Sequence, residues 1–305
     1  MPALTPRPSP SPWLPALLLT AMLLSFWGSS CLAAEKTRVY VTVPPQAFLA
    51  KQLTDGEEVE VLTLIGRGQD PHTFEPTPRQ AAALAAARIF FTVELPFERQ
   101  LVNKVRAGNP SLKVVDTTSG ISHLPMTDDH HHGGAAHDVH GAESQWDPHV
   151  WMTPANLQRM ATVMATALGE EMPARRQAID RNLAALDEEL AGLERRITAR
   201  LSPHRGKTFY VFHPGFGYFA NAFGLTQKAV ETGGKTPSPR QIATLIRQAQ
   251  QDRVRVIFVQ PQFDTKSAAT VASGINGSVM PIDSLAENVT ENLDRIATAI
   301  AESMP

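Results

Sequence analysis

The sequence predicts an α/β protein of two lobes, each with a mostly parallel sheet flanked by helices, joined by one long rigid backbone helix. Three observations predict it. Short apolar runs alternate with helical stretches from about residue 38 to 117. The same alternation resumes near Thr208 and continues to the C-terminus. Between them Ile179, Leu183, Leu186, Leu190, Leu193, Ile197 and Leu201 recur every three or four residues, with charged residues on the remaining face. Strands alternating with helices imply parallel sheets covered on both faces. A stripe with helical period is one amphipathic helix, here about 40 Å long at ~1.5 Å per residue. The alternative is a coiled coil, but a single long helix between two α/β halves is better explained as a spine.

In the first half, Val39–Val43 and Val59–Ile65 read as strands with a helix at Gln46–Leu53 between them. Thr77-Pro78-Arg79-Gln80 opens the next helix, with Thr77 as cap, Pro78 in the first turn and Gln80 reaching back. Strands at Arg88–Val93 and Leu112–Val115 enclose a helix at Glu98–Arg106. Residues 118–148 have no apolar periodicity and read as a loop; Thr153-Pro154 then starts a helix through Leu168. In the second half, strands are expected at Thr208–Phe212, Gln227–Glu231, Val254–Val259 and Ser278–Ile282. Helices are expected at Gly215–Phe223, from Ser238 to about Gln251, at Thr265–Ser273 and at Asn288–Ser303. Ser238-Pro239-Arg240-Gln241 nearly repeats the opening at Thr77, which hints at two similarly built lobes. The expected organisation is a signal peptide at 1–34, an N-terminal lobe at 35–173, a connecting helix at 174–201 and a C-terminal lobe at 202–305.

The N-terminus has the order of a secretory signal: Arg7, an apolar run from Trp13 to Trp27, then small residues. The run is shorter than the roughly 20 residues of a spanning helix. Cleavage near Ala33 or Ala34 is the first expectation, giving a periplasmic or extracytoplasmic protein. Acylation of Cys31, the single cysteine, is the open alternative. With no disulfide available to the mature chain, a metal site has to use nitrogen and oxygen ligands. A formal net charge of −2 gives no footprint for nucleic acid.

Four stretches stand where a strand gives way to a loop, the position at which open α/β sheets bind ligands. They are Gln69-Asp-Pro-His-Thr-Phe-Glu-Pro76, Trp146-Asp-Pro-His-Val-Trp151, Val211-Phe-His-Pro-Gly-Phe-Gly-Tyr218 and Met280-Pro-Ile-Asp-Ser-Leu285. Three carry a histidine and one an aspartate. Each alone reads as structural, and the repeated Asp-Pro-His as turn chemistry. Together they form a candidate site. The aromatic residues beside them, Phe74, Trp146, Trp151, Phe212, Phe216 and Tyr218, read mostly as core.

These motifs, with Pro237-Ser-Pro-Arg-Gln241 and Val259-Gln-Pro-Gln-Phe263, keep the order found in the solute-binding proteins of zinc and manganese ABC importers, and the chain resembles that family over nearly all of its mature length. The resemblance implies two lobes on one long helix and modest tilting between them. It also implies metal ligands at His72 and His149 from the first lobe and His213 and Asp283 from the second. Ser284 stands where many relatives have proline. Gln260 stands where some have an acidic residue, and an amide is a poor ligand. Three imidazoles and one carboxylate favour Zn2+ over Mn2+, with affinity falling as pH drops through about 6–7. The implied role is to bind zinc as a monomer and deliver it to a membrane permease with a cytoplasmic ATPase, without catalysis. The other readings are a zinc hydrolase, which would need an open coordination position and a base such as Glu75 or Glu231, and a surface adhesin. His130, His131, His132, His137 and His140 are half of the chain's ten histidines. Such a tract reads as auxiliary weak metal capture or as a plain polar loop.

Overall fold

The computed structural model describes residues 36–54, 59–126, 146–231, 235–263 and 265–304. The expected signal segment with Cys31, and the five clustered histidines at 130–140, lie outside the described residues. Lys36–Pro305 forms one compact unit.

The first half runs β1 (Thr37–Val41), α1 (Pro44–Thr54), β2 (Val59–Thr63), α2 (Pro78–Ala85), β3 (Ile89–Thr92), α3 (Pro96–Gly108) and β4 (Lys113–Asp116). Then come α4 (Pro154–Glu171) and the long helix α5 (Arg176–Leu201). The second half is β5 (Thr208–Val211), α6 (Gly217–Phe223), β6 (Thr226–Ala229), α7 (Pro239–Gln251), β7 (Val256–Val259), α8 (Lys266–Gly274), β8 (Ser278–Pro281) and α9 (Val289–Ser303). Both sheets are parallel and share one order, β2-β1-β3-β4 and β6-β5-β7-β8. The two near-copied helix openings occupy equivalent places, each after the second strand of its sheet. Both form full capping boxes, with Thr77 and Ser238 accepting from the backbone N–H of Gln80 and Gln241.

Two expected helix starts move two residues later. The spine begins at Arg176 because Pro173 opens a separate 3-10 turn over Pro173–Arg175. The helix expected from Gly215 begins at Gly217, because Gly215 N–H turns back to the carbonyl of His213.

The apolar stripe of α5 is used within the chain, which removes the coiled-coil reading. Ile179, Leu186, Leu190, Leu193, Ile197 and Leu201 are buried against α4, α1 and α9. Asn182 donates to the Leu53 carbonyl of α1, and Arg200 pairs with Asp294 of α9 at 2.8 Å. One continuous core runs from the first sheet through α5 to one face of the second sheet, where Phe209 and Val211 meet Leu293 and Ile296. Tyr210 and Phe212, one residue out of phase, point to the other face and pack with Leu245 and Val271. That is the two-residue period of a strand covered on both sides.

In each sheet the strand order reverses beside the first strand, and such a reversal leaves a crevice at the carboxyl ends. In the first sheet Gln46 fills it. Its amide accepts from Thr42 N–H and Val43 N–H and donates to the Thr92 carbonyl and Thr117 Oγ1. In the second sheet the corresponding crevice holds His213.

Candidate metal centre

Three of the four expected ligands converge. His72 Nε2 lies 3.1 Å from His213 Nε2, which lies 3.3 Å from His149 Nε2. Ligand atoms of all three residues fall within 4.8 Å of one another. With Zn–N bonds of about 2.0–2.1 Å, the edge of a tetrahedron is about 3.3 Å. The two nitrogen separations match that edge.

Each ring is placed by a different device. His72 follows β2 in an Asp-Pro-His turn, where Asp70 accepts from His72 N–H at 2.9 Å and from Thr73 Oγ1. The second Asp-Pro-His repeats the turn, with Asp147 Oδ1 accepting from His149 N–H at 2.9 Å. It adds a bond of 2.7 Å from the same oxygen to His149 Nδ1. The repeat is therefore turn chemistry in both copies and ring orientation in one.

His149 is 2 % exposed and lies edge-on to Trp151, whose indole N–H donates to the Ser284 carbonyl at 2.7 Å. This ties the segment carrying His149, reached from the first half of the chain, to the second half. A side chain at Gly217 would run into Asp147 Oδ2, and a Cβ at Gly215 would sit 3.3 Å from His149 Nε2. The close approach needs glycine at position 217, and it leaves a tight fit at Gly215.

His213 leaves the end of β5 and is 5 % exposed. Gln260, fully buried at the end of β7, clamps its peptide, accepting from His213 N–H and donating to its carbonyl. The ring stacks on Phe263 with centroids 4.6 Å apart. Its Nδ1 lies 2.7 Å from Glu231 Oε1.

The sequence reading missed Gln260 as a clamp and Glu231 as an orienting carboxylate. Sheet register carries the signal for Glu231. Val211 pairs with Ala229, so His213 and Glu231 each follow two residues past the ends of adjacent strands.

Asp283 stands outside the triangle. Its Oδ1 accepts from Leu285 N–H at 2.9 Å and Gln262 Nε2 at 3.1 Å, and its carboxylate lines a separate cavity of about 360 Å³ with Arg67 and Glu287. Of the flanking aromatics, Phe74, Trp151, Phe212, Phe216 and Tyr218 are buried, and Trp146 is 49 % exposed.

Protons compete weakly for the His72 and His213 nitrogens. Loss of water around its inward edge, then repulsion from His149 and His213, hold His72 down to about 3, although its outer edge is open to solvent. Burial likewise lowers His213, against the opposing pull of Glu231. A folded pKa below the unfolded value of about 6.5 means that the unfolded chain takes up more protons below that pH. The metal-free protein is thus expected to keep its full stability above about pH 6.5 and to lose part of it as pH falls. Proton competition for zinc at His72 and His213 should therefore set in only below the window of about 6–7 expected from free imidazole. Chelator competition at about pH 7, 6 and 5 checks this; a steep loss already between the first two would contradict it.

A family model described as "ZnuA: Zinc-uptake complex component A periplasmic" matches residues 39–302. The zinc-binding lipoprotein AdcA of Streptococcus pneumoniae (strain TIGR4) is 25 % identical over 90 % of this chain and 55 % of its own length. The chain thus spans about half of that relative. The high-affinity zinc uptake system protein ZnuA of Brucella abortus is 28 % identical, covering 91 % of this chain and 92 % of its own. A crystal structure of ZnuA superposes with a TM-score of 0.81 at 33 % identity, covering 88 % of this chain and all of that one.

Proposed function

We infer that this chain, which belongs to the family of periplasmic zinc-uptake components, captures a single zinc ion outside the cytoplasm and delivers it to an ABC-type importer. The observation that carries the reading is the convergence of three imidazole Nε2 atoms at tetrahedral-edge separations. The ion is cargo, held by His72, His149 and His213. An all-nitrogen triangle favours zinc over manganese, which prefers oxygen ligands.

Capture without catalysis agrees with how the neighbouring carboxylates are used. Asp147 and Glu231 are both engaged at imidazole Nδ1, so neither is a base waiting beside the ion. Glu75, the other base considered, is exposed on the loop after His72. Delivery requires a membrane permease and its ATPase as partners, with this chain acting as a monomer. An extracytoplasmic location fits the N-terminal segment, and no helix among the described residues is long and apolar enough to cross a membrane. Mass spectrometry of the exported protein separates cleavage at Ala33 or Ala34 from acylation of Cys31.

Asp283, the fourth ligand expected from the sequence, keeps a place in the proposal as the weaker contributor from the second half. Because one of its oxygens is committed to Leu285 and Gln262, Asp283→Ala is expected to weaken zinc by about tenfold, less than loss of any histidine. Metal analysis of the purified mature protein should give one tightly held zinc per chain. Absence of zinc, or a loss in Asp283→Ala as large as in a histidine variant, would count against this assignment.

A further inference from the structure

We propose that Asp147 and Glu231 are the countercharges of the centre and set its preference for divalent over monovalent cations. The proposal rests on the zinc-capture reading.

The three converging ligands are imidazoles, which bind metal in their neutral form and therefore bring no charge to offset that of the ion. Asp283, the acidic residue expected among the ligands, stands outside the triangle. Two other carboxylates lie directly behind it. Asp147 is 3 % exposed and Glu231 9 %. Each places an oxygen 2.7 Å from the Nδ1 of a ligand ring, and among the described residues their ion pairs run only to those rings. A carboxylate removed from water costs several kcal/mol unless an opposite charge compensates it. With the ion bound the rings are neutral and offer a hydrogen bond but no charge, so the ion itself compensates the two carboxylates. Two carboxylates behind neutral rings sum to −2, which a divalent ion cancels and a monovalent ion leaves half met. The Nδ1–H bond also raises the basicity of Nε2, so the charge is transmitted through the ligand itself. His72 has no such carboxylate among the described residues, so the countercharge stands behind His149 and His213 only.

Orientation and charge can be separated. Asp147→Asn and Glu231→Gln each keep an oxygen able to accept from Nδ1–H and remove the negative charge. Dissociation constants are measured by competition for Zn2+ and for Ag+, a monovalent cation that also takes imidazole nitrogen, on the full mature chain. Each amide variant is expected to weaken zinc by about 10–100-fold and silver much less, so that the zinc-to-silver preference drops by at least about tenfold; the double variant drops further. Wild-type zinc affinity in both variants overturns the proposal. So does an equal loss for both ions, which would assign the carboxylates to ring orientation alone. Circular dichroism of the metal-free variants identifies any that do not fold, and the remaining one carries the comparison. Wild-type protein that takes up no stoichiometric zinc overturns the capture reading, whereas zinc-loaded wild type with indifferent amide variants overturns only this inference.

Discussion

His213→Ala is expected to abolish tight zinc binding. A complete structural zinc site is worth on the order of 10–16 kcal/mol of apparent binding free energy. Shared over four coordination positions, that is about 2.5–4 kcal/mol for one ligand, or a loss on the order of a hundred- to a thousandfold. His213 should lie at the upper end for two reasons. Its nitrogen is the one close to both partners, at 3.1 and 3.3 Å. Its removal also leaves Glu231 buried without the ring that accompanies it, the situation in which a buried charge is most costly. Calorimetric titration checks the loss. A dissociation constant within tenfold of wild type would show that the ion sits elsewhere.

Trp151→Ala is expected to have the largest effect on stability. The indole is fully buried in the continuous core, and large-to-small changes at such sites cost about 3–5 kcal/mol. The change also removes the donor to the Ser284 carbonyl, and an orphaned buried acceptor adds about 1–3 kcal/mol. Together these should lower the melting temperature of the metal-free protein by about 10–30 °C, at ~2–4 °C per kcal/mol for a large domain. Trp151→Phe keeps most of the volume and loses only the hydrogen bond, so it should fall in between. A melting temperature unchanged in the alanine variant would refute the role assigned to this residue in joining the two halves. His149, edge-on to the same ring, should also lose zinc affinity in the alanine variant.

The fold was legible because its two periods are clean. The stripe from Ile179 to Leu201 and the strand-helix alternation on either side of it led directly to the two parallel sheets and the spine. What sequence missed depends on partners far along the chain. Gly215 lies close to His149 from the other half of the chain, and nothing in residues 213–218 announces that neighbour. The centre divides in the same way. The three histidines stand out as motifs at strand ends. Glu231 and Gln260 act through sheet register and a backbone clamp, so neither belongs to a local motif. Asp283 was expected among the ligands; its Oδ1 also accepts from Leu285 N–H, a turn-capping bond that an aspartate at such a position offers locally, and the Asp283→Ala measurement decides its share in binding.

The spacing of the ligands has a consequence for how the protein matures. His72 and His213 are 141 positions apart in sequence, and His149 and His213 are 64 apart, with α5 lying between the latter two. No shorter segment of the chain can assemble the triangle, so the ion recognises only a chain whose two halves have both folded and docked. Anything that binds the native state and not the unfolded one draws the population toward the native state, by about 2.7 kcal/mol at a hundred times the dissociation constant. Zinc availability outside the cytoplasm would thus govern how much of this protein survives there as well as how much of it is loaded. Scarcity would leave the empty carrier the more exposed to proteolysis.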